Sequence, residues 1–467
     1  MEGKNIPHVV VLPYPSQGHI NPLLQLAKRL VSKGVKATLA TTRYTVESIN
    51  VANVSVEAIS DGFDAGGFTD ARGEDVYLKA FKDSGSRTLS NVIEKYQKTS
   101  FPVTCVIYDS FLPWALDVAR QYGIYGGAFF TNSATVCSIF CYLHHGKLSL
   151  PVNPSDDKPL LLPGLPPLNA KDLPSFIKKP ESNPAYLRMK LSQYTNLDDT
   201  DFILCNTFQE LEGEVEKAIS NMWPAKFIGP MVPSAYLDDR IEGDKGYGAS
   251  LWKPSSEECI NWLQGKQQKS VVYISFGSMV SLTSKQMEEM AWALEASRLS
   301  FLWVVRESAL GKLPERFIDS TRGQGLVVSW CNQLEMLDHP AIGCFVTHCG
   351  WNSTLEGLSL GVPMIAIPQW ADQLTDAKFI EEIWGIGSRP KEDEFGIVRA
   401  DELLLCLKDV MVEGRRSEEI RRNAKKWKQL AKEAVSEGGS SDKNIDEFVQ
   451  YLKSVSRNGE HKEILCN

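Results

Sequence analysis

The sequence predicts an α/β protein of two domains, each a parallel sheet covered by helices. Three observations predict it. At 467 residues the chain is too long for one compact core. Short β-branched runs alternate with amphipathic helical stretches, the pattern that lays helices across a parallel sheet. That alternation runs once before and once after an irregular stretch, Met231 to Pro254, rich in Asp, Gly, Tyr and Pro.

Val9-Val10-Val11-Leu12 opens the chain as a continuous apolar run, suited to a strand buried on both faces. Pro13 to His19 cannot extend that ladder, and Asn21-Pro22 is expected to cap a helix with proline at its first position. Leu23, Leu26, Ala27 and Leu30 form the helix's apolar stripe, Gly34 ends it, and Lys36 to Thr41 is the next strand. Val103 to Ile107 is a further strand, with Asp109 just past its end and a helix over Pro113 to Tyr122. The proline-rich stretch Val152 to Pro184 is expected to be a mobile loop. In the second half Val271 to Phe276 is a strand, Gly277-Ser278 a turn, Lys285 to Ala296 a helix and Phe301 to Val305 a strand. The expected domains are therefore 1–235 and 255–440, joined by a linker at 236–254, with a helix at about 441–467 packing back on the first domain.

Composition narrows the function. A balance of 50 basic against 58 acidic residues, net −8, argues against a nucleic-acid partner. The basic run from Arg415 to Lys426 is interleaved with Glu418 and Glu419 and reads as the solvated face of a helix. The N-terminus is polar and no run of 18 apolar residues occurs, so no transmembrane segment and a cytoplasmic chain are expected. Ten cysteines without a CxxC pair are expected to be reduced and mostly buried.

The stretch VTHCGWNSTLEG, residues 346–357, concentrates chemistry. A strand ends at His348, a turn follows, and a helix opens at Asn352-Ser353. Free backbone N–H groups at such a helix start favour an anion by about 0.3–1 kcal/mol at an exposed site. Asn352, Ser353 and His348 add donors. Glu356, one turn further along the same face, suits sugar hydroxyls better than phosphate. Singly, each is commonplace: a structural histidine, a helix cap, a surface charge. Together they suggest a grip on a nucleotide diphosphate and its ribose. In the first half, His19 and Asp109 stand at the ends of two strands of one sheet. If those ends meet, Asp109 can fix one imidazole nitrogen and leave the other as a base toward a hydroxyl.

The segment Trp330-Cys331-Asn332-Gln333 … His348-Cys349-Gly350-Trp351-Asn352-Ser353 … Glu356-Gly357 … Pro363 … Pro368 … Asp372-Gln373 resembles, without a gap, the signature of plant family 1 UDP-dependent glycosyltransferases. Leu12-Pro13 … Gln17-Gly18-His19-Ile20-Asn21-Pro22 is similar to that family's start, so the resemblance spans nearly the whole chain. Phe111-Leu112-Pro113-Trp114-Ala115 and Phe129-Phe130-Thr131 resemble its subgroup of salicylate, thiohydroximate and terpenoid or steroid glucosyltransferases. The resemblance implies two facing Rossmann-like domains of the GT-B type with a cleft between them, the acceptor in the first and the donor in the second.

By position, the resemblance implies that Trp330 stacks on the uracil, Cys331 pairs the base edge through its backbone, and Gln333 and Glu356 hold the ribose. It places the diphosphate on His348, Asn352, Ser353 and Ser278, with Trp351 in the same turn, and the sugar hydroxyls on Asp372 and Gln373. A glutamine at 373 goes with glucose in that family, so UDP-glucose is the expected donor. His19 and Asp109 match its catalytic pair. The reaction implied is inverting transfer of glucose to a hydroxyl or carboxyl of a hydrophobic small molecule, a phenol, small acid, triterpenoid or steroid. No cofactor beyond the donor is implied, and a monomer is expected. Acceptor-pocket candidates lie between about 80 and 200, chiefly Phe140 and Tyr142, with Thr135 or Ser138 toward the glucose 6-hydroxyl. Asp199-Thr200-Asp201 matches the metal-binding Asp-x-Asp pattern only as a short acidic triplet, remote in sequence from every nucleotide residue, and no metal site is expected.

Two other readings use the same fold. A nicotinamide-dependent oxidoreductase would need Gly-x-Gly-x-x-Gly after the first strand, where Pro13 to Gly18 offers one glycine. A non-catalytic UDP-sugar-binding protein would have no use for His19 and Asp109.

Overall fold

The computed structural model describes residues 6–152, 158–252 and 254–458, which form two compact units. The first holds the chain through Ala170, then Phe176–Leu251, then the residues from Glu433 onward. The second holds Lys171–Ser175 and Trp252–Lys432.

The first unit is a seven-stranded sheet of β1 (His8–Leu12), β2 (Lys36–Thr42), β3 (Ser55–Ile59), β4 (Cys105–Asp109), β5 (Tyr125–Phe130), β6 (Phe202–Cys205) and β7 (Lys226–Phe227). Every pairing is parallel and the order is β3-β2-β1-β4-β5-β6-β7. The second is a six-stranded parallel sheet of β8 (Val271–Ser275), β9 (Ser300–Val304), β10 (Gly325–Val328), β11 (Ile342–Thr347), β12 (Met364–Ala366) and β13 (Gly387–Ser388). Its order is β10-β9-β8-β11-β12-β13. Both are doubly wound: the strand order reverses between β1 and β4, and between β8 and β11. The central strands are buried along their whole length, as their unbroken apolar runs require.

The helix expected after β1 starts earlier than the proline suggests. It runs Gln17–Ser32 from an extended Ser16, whose carbonyl accepts from His19 N (3.0 Å) and Ile20 N (2.8 Å). Pro22 therefore lies inside the helix. It cannot donate to the Gly18 carbonyl, and the apolar stripe beyond it, packed on the sheet, holds the helix together.

The stretch expected to link the domains is bound to the first unit. Asp244 accepts from Gln25 Nε2 (2.6 Å) and Ser234 N (2.7 Å) and pairs with Lys28 Nζ (2.8 Å). Asp238 takes both terminal nitrogens of Arg29 at 3.0 and 3.3 Å. Ile49 and Ala249 form an antiparallel bridge. The polar, aperiodic composition of 236–251 thus encodes partners for the polar and charged side chains Gln25, Lys28 and Arg29 of one helix. Val152 to Pro184, apart from 153–157 outside the described residues, is also tied down. Leu160 pairs with Leu168, and Leu168, Leu173, Phe176 and Ile177 are buried.

The last helix, Ser440–Asn458, sets Ile445, Phe448, Val449, Leu452 and Val455 into the core of the first unit against Val35, Ala37 and Ile228. Each such side chain contributes roughly 1.5–3 kcal/mol, whereas an exposed pair such as Lys226–Glu447 at 3.1 Å adds ~0–1 kcal/mol. Apolar burial decides where this helix docks. The Arg415–Val435 helix keeps Arg415, Arg416, Arg422, Lys425 and Lys426 exposed, as a solvated face requires. The nine described cysteines are all free and buried, and no helix among the described residues is long and apolar enough to cross a membrane.

His8, fully buried in β1, lies 2.9 Å from the Phe101 carbonyl through Nδ1 and 2.7 Å from Thr38 Oγ1 through Nε2. Nδ1 must donate, so the hydroxyl serves Nε2, and burial lowers the pKa from 6.5 to about 4. Because the unfolded chain takes up this proton first, His8 stabilises the fold above pH 6.5, and that contribution is lost as pH falls toward about 4. The urea midpoint should drop across that window, with a shallower slope in His8→Gln. Equal slopes would show that His8 carries none of the dependence.

Candidate active site

In a doubly wound sheet, the loops at a strand-order reversal leave toward opposite faces and open a crevice at the carboxyl ends of the strands. Each unit has one such place.

In the first unit it lies between β1 and β4, in register through Leu12 and Tyr108. Asp109 is the last residue of β4, and His19 is the third residue of the helix after β1, not part of a loop. The two meet: Nδ1 of His19 is 2.6 Å from Oδ2 of Asp109. The carboxylate is fully buried, and backbone N–H groups of Phe111 (3.0 Å, to Oδ1) and Tyr14 (3.4 Å, to Oδ2) hold it. Nδ1–H donates to Asp109, so Nε2 carries the lone pair. The His19 side chain keeps 17% of its surface accessible, which is what a proton acceptor needs.

Three neighbours of this pair were not singled out by sequence reasoning. Thr131, just past β5, brings Oγ1 to 3.3 Å from His19 Nδ1. Tyr14 sets its ring 5.5 Å from the imidazole, and burial pushes its phenol well above the usual range. Lys190 is buried, 2.5 Å from Asn132 Oδ1 and 4.6 Å above the Phe111 ring, itself 4.7 Å from that of His19. Thr131 carried a usable signal, being a polar residue at the end of the strand beside β4. Lys190 carried none. Beside Tyr14, the residues Glu74, Leu78, Ala185, Tyr186 and Met189 line a narrow crevice with no room for a water molecule. Phe140 and Tyr142 do not line it. Both are buried in the helix Ala134–His144, with Tyr142 Oη 3.5 Å from the Pro163 carbonyl. Thr135 and Ser138 are buried in the same helix, and the Ser138 hydroxyl donates back to the Thr135 carbonyl at 2.7 Å.

In the second unit the reversal lies between β8 and β11, in register through Ser275 and Thr347. Gly277-Ser278 follows one strand and His348 the other. Gly350 precedes the helix Trp351–Leu360, so Trp351, Asn352 and Ser353 form its first turn, where N–H groups lack helical acceptors. The His348 ring is wedged between two glycines. A Cβ at Gly277 would lie 2.8 Å from Cε1, and one at Gly350 2.5 Å from Nε2. This packing desolvates the imidazole and lowers its pKa to about 4, with the Ser275 backbone beside the ring pulling the other way.

Gln333 begins a short helix and donates through Nε2 to Ser353 Oγ (2.9 Å) and Glu356 Oε2 (2.7 Å). Tyr273 Oη stands 3.5 Å from Gln333 Oε1 and 3.6 Å from Cys331 Sγ. Trp330 packs one face near Trp252, centroids 4.7 Å apart. Asp372 immediately precedes the helix Gln373–Lys378 without a side-chain cap to it, and Gln373 Oε1 accepts from the N–H groups of Gln369 (3.0 Å) and Trp370 (3.1 Å). All eleven positions named for the donor thus lie on this one sheet, its connections and the helices that follow. Of the acidic triplet, Asp201 Oδ2 accepts from Arg120 (2.8 Å) and the Gly126 N–H (2.9 Å), which makes it a structural anchor in the first unit.

Two doubly wound units, one offering a buried carboxylate–imidazole pair and the other an anion-receptive helix start, make up a nucleotide-sugar transferase of the GT-B class. Residues 193–429 match the family model described as UDP-glucoronosyl and UDP-glucosyl transferase. UDP-glycosyltransferase 74B1 of Arabidopsis thaliana is 52% identical over 95% of this chain and 97% of its own length. The flavonol 7-O-beta-glucosyltransferase UGT74F1 of the same plant is 46% identical over 96% of this chain and 98% of its own. The crystal structure of Os79 from O. sativa with UDP superposes with a TM-score of 0.90 at 38% identity, covering 95% of this chain and all of that one. The chain belongs to the UDP-glycosyltransferase family and is a UDP-dependent glycosyltransferase.

Gly277→Ala should displace the His348 ring, since the new Cβ also meets a backbone at φ +66°. The expected cost is about 1–3 kcal/mol of stability with a shifted His348 imidazole resonance. An unmoved resonance would mean the ring is not held by the glycines.

Proposed function

We propose that this enzyme transfers glucose from UDP-glucose, with inversion, to a hydroxyl or carboxyl of a hydrophobic small molecule, giving a β-glucoside or glucose ester. The observation that carries the reading is the 2.6 Å bond between His19 and buried Asp109, which leaves Nε2 as base. The acceptor O–H gives its proton to Nε2 as its oxygen bonds to the anomeric carbon. The carbon–oxygen bond to UDP breaks on the opposite face, so an α-linked donor yields a β product. The anomeric carbon passes through an oxocarbenium-like state, and Asp109 stabilises the imidazolium as it forms.

The leaving diphosphate falls to His348, Ser278, Asn352, Ser353 and the N–H groups of the helix beginning at Trp351. With a pKa of about 4, His348 is neutral and acts as a hydrogen-bond donor, not as a charge. The ribose falls to Gln333 and Glu356, which are already bonded to each other. Uracil takes Trp330 and Cys331, and the hexose takes Asp372 and Gln373. Phe111, Tyr14 and Tyr186 around the base favour an apolar acceptor. The relative named for flavonol 7-O-β-glucosylation supports both a phenolic acceptor and the β product.

His19→Ala should abolish transfer to alcohols while UDP affinity stays within a few-fold, because base and nucleotide residues belong to different units. Acceptors already ionised as acidic phenols or carboxylates should retain part of their rate. Equal loss of UDP binding, measured by calorimetry, would refute the assignment of His19 as base. A chelator should leave turnover unchanged; a large loss would require a metal to share the diphosphate with His348.

A further inference from the structure

The chain enters the second unit early, for five residues only, Lys171–Ser175, between two stretches of the first. Those five residues fasten to the loop that precedes Gln373. Ser175 clamps Ala371 from both sides of its peptide: the Ser175 N–H donates to the Ala371 carbonyl at 3.0 Å, and Ser175 Oγ accepts from the Ala371 N–H at 2.9 Å. Ala371 needs holding. It has φ +58°, a left-handed conformation that costs a β-carbon residue about 1–2 kcal/mol.

Three residues upstream of Ser175, Asp172 is fully buried. Its carboxylate lies 3.4 Å from Arg389 Nη1 and 3.5 Å from Lys378 Nζ. Its backbone carbonyl accepts from Thr375 Oγ1 at 2.7 Å, and the Lys171 carbonyl accepts from Arg389 Nη2 at 3.2 Å. The helix carrying Gln373, Thr375 and Lys378 is thereby gripped at both ends.

We infer that residues 171–175 are a positioning strap for the sugar-recognition loop, and that Ser175 sets the enzyme's selectivity among UDP-hexoses without touching them. The inference rests on the reading that Gln373 and Asp372 hold the hexose. Its physical basis is a division of the Gln373 amide. Oε1 is occupied by the backbone N–H groups of Gln369 and Trp370, so where Nε2 points depends on the backbone of 369–371. Ser175 fixes that backbone at its strained residue. Loosening it lets the amide swing, which weakens contacts to the hexose and leaves uracil, ribose and diphosphate contacts intact.

The test compares Ser175→Ala, Ser175→Thr and Gln373→Ala as full-length enzymes. Ser175→Ala removes one hydrogen bond, and by the usual worth of such a bond KM for UDP-glucose should rise about five-fold. The preference for UDP-glucose over UDP-galactose should fall, while UDP affinity by calorimetry stays within about two-fold. Ser175→Thr, which keeps the hydroxyl, should restore KM and preference. The strap is overturned if Ser175→Ala changes neither, or if it weakens UDP as much as UDP-glucose, the mark of general loosening. Gln373→Ala separates the strap from its premise. A raised UDP-glucose KM there, with Ser175→Ala unchanged, rejects the strap alone; no effect of Gln373→Ala rejects the hexose assignment and the strap with it.

Discussion

The structure depends on two reversals of strand order. A parallel sheet sends each connection to one face, and at the seam between β1 and β4, or β8 and β11, neighbouring connections part. The parted backbone leaves strand ends and first-turn N–H groups without sheet or helix partners. Side chains from the adjoining connections fill the space, which is why His19 and Asp109 share one seam and Gly277, Ser278 and His348 share the other. The chemistry is thus laid down by winding before any single residue is chosen.

Within that frame, one residue type is given two opposite environments. His19 has an ionic partner, a fully buried Asp109 at 2.6 Å, and an accessible face. Its Nε2 has the geometry to take a proton and the carboxylate to stabilise the resulting charge. His348 has no carboxylate at its Nδ1, is flanked by Gly277 and Gly350, and has a pKa of about 4. Protonating it would place a cation in a desolvated slot, a cost above a kcal/mol for each unit of pKa shift. The first is suited to proton transfer and the second to a neutral hydrogen bond.

Sequence legibility follows the same division. Strands β1, β4, β8 and β11 are readable because a strand buried on both faces must be apolar throughout, and 346–357 is readable because strand, turn and helix start are local. The start of the first helix was misplaced since a proline is a strong local signal, while the deciding interaction, the Ser16 carbonyl to His19 and Ile20, depends on backbone angles. The stretch 236–251 looked like a linker because its function is to meet Gln25, Lys28 and Arg29, more than 200 residues away in sequence. Lys190 and Ser175 were invisible for the same reason. A partner distant in the chain leaves no period and no motif.

That distance also governs what counts as a domain. The first sheet's apolar face over β1 and β2 is closed by Ile445, Phe448, Val449, Leu452 and Val455, from the far end of the chain. Lys33 binds Asp442 at 2.7 Å and Asp446 at 2.6 Å, Ser441 Oγ donates to the Gly229 carbonyl, and Asn444 Nδ2 donates to that of Phe227. Five buried apolar side chains at roughly 1.5–3 kcal/mol each amount to as much as the whole net stability of an ordinary domain. A chain cut after the first sheet would therefore expose this face and lose the cover that keeps β1, and with it His19, in place. Each unit is a set of segments chosen by burial, and His19 is held where it is by a helix, Ser440–Asn458, more than 400 residues further along the chain.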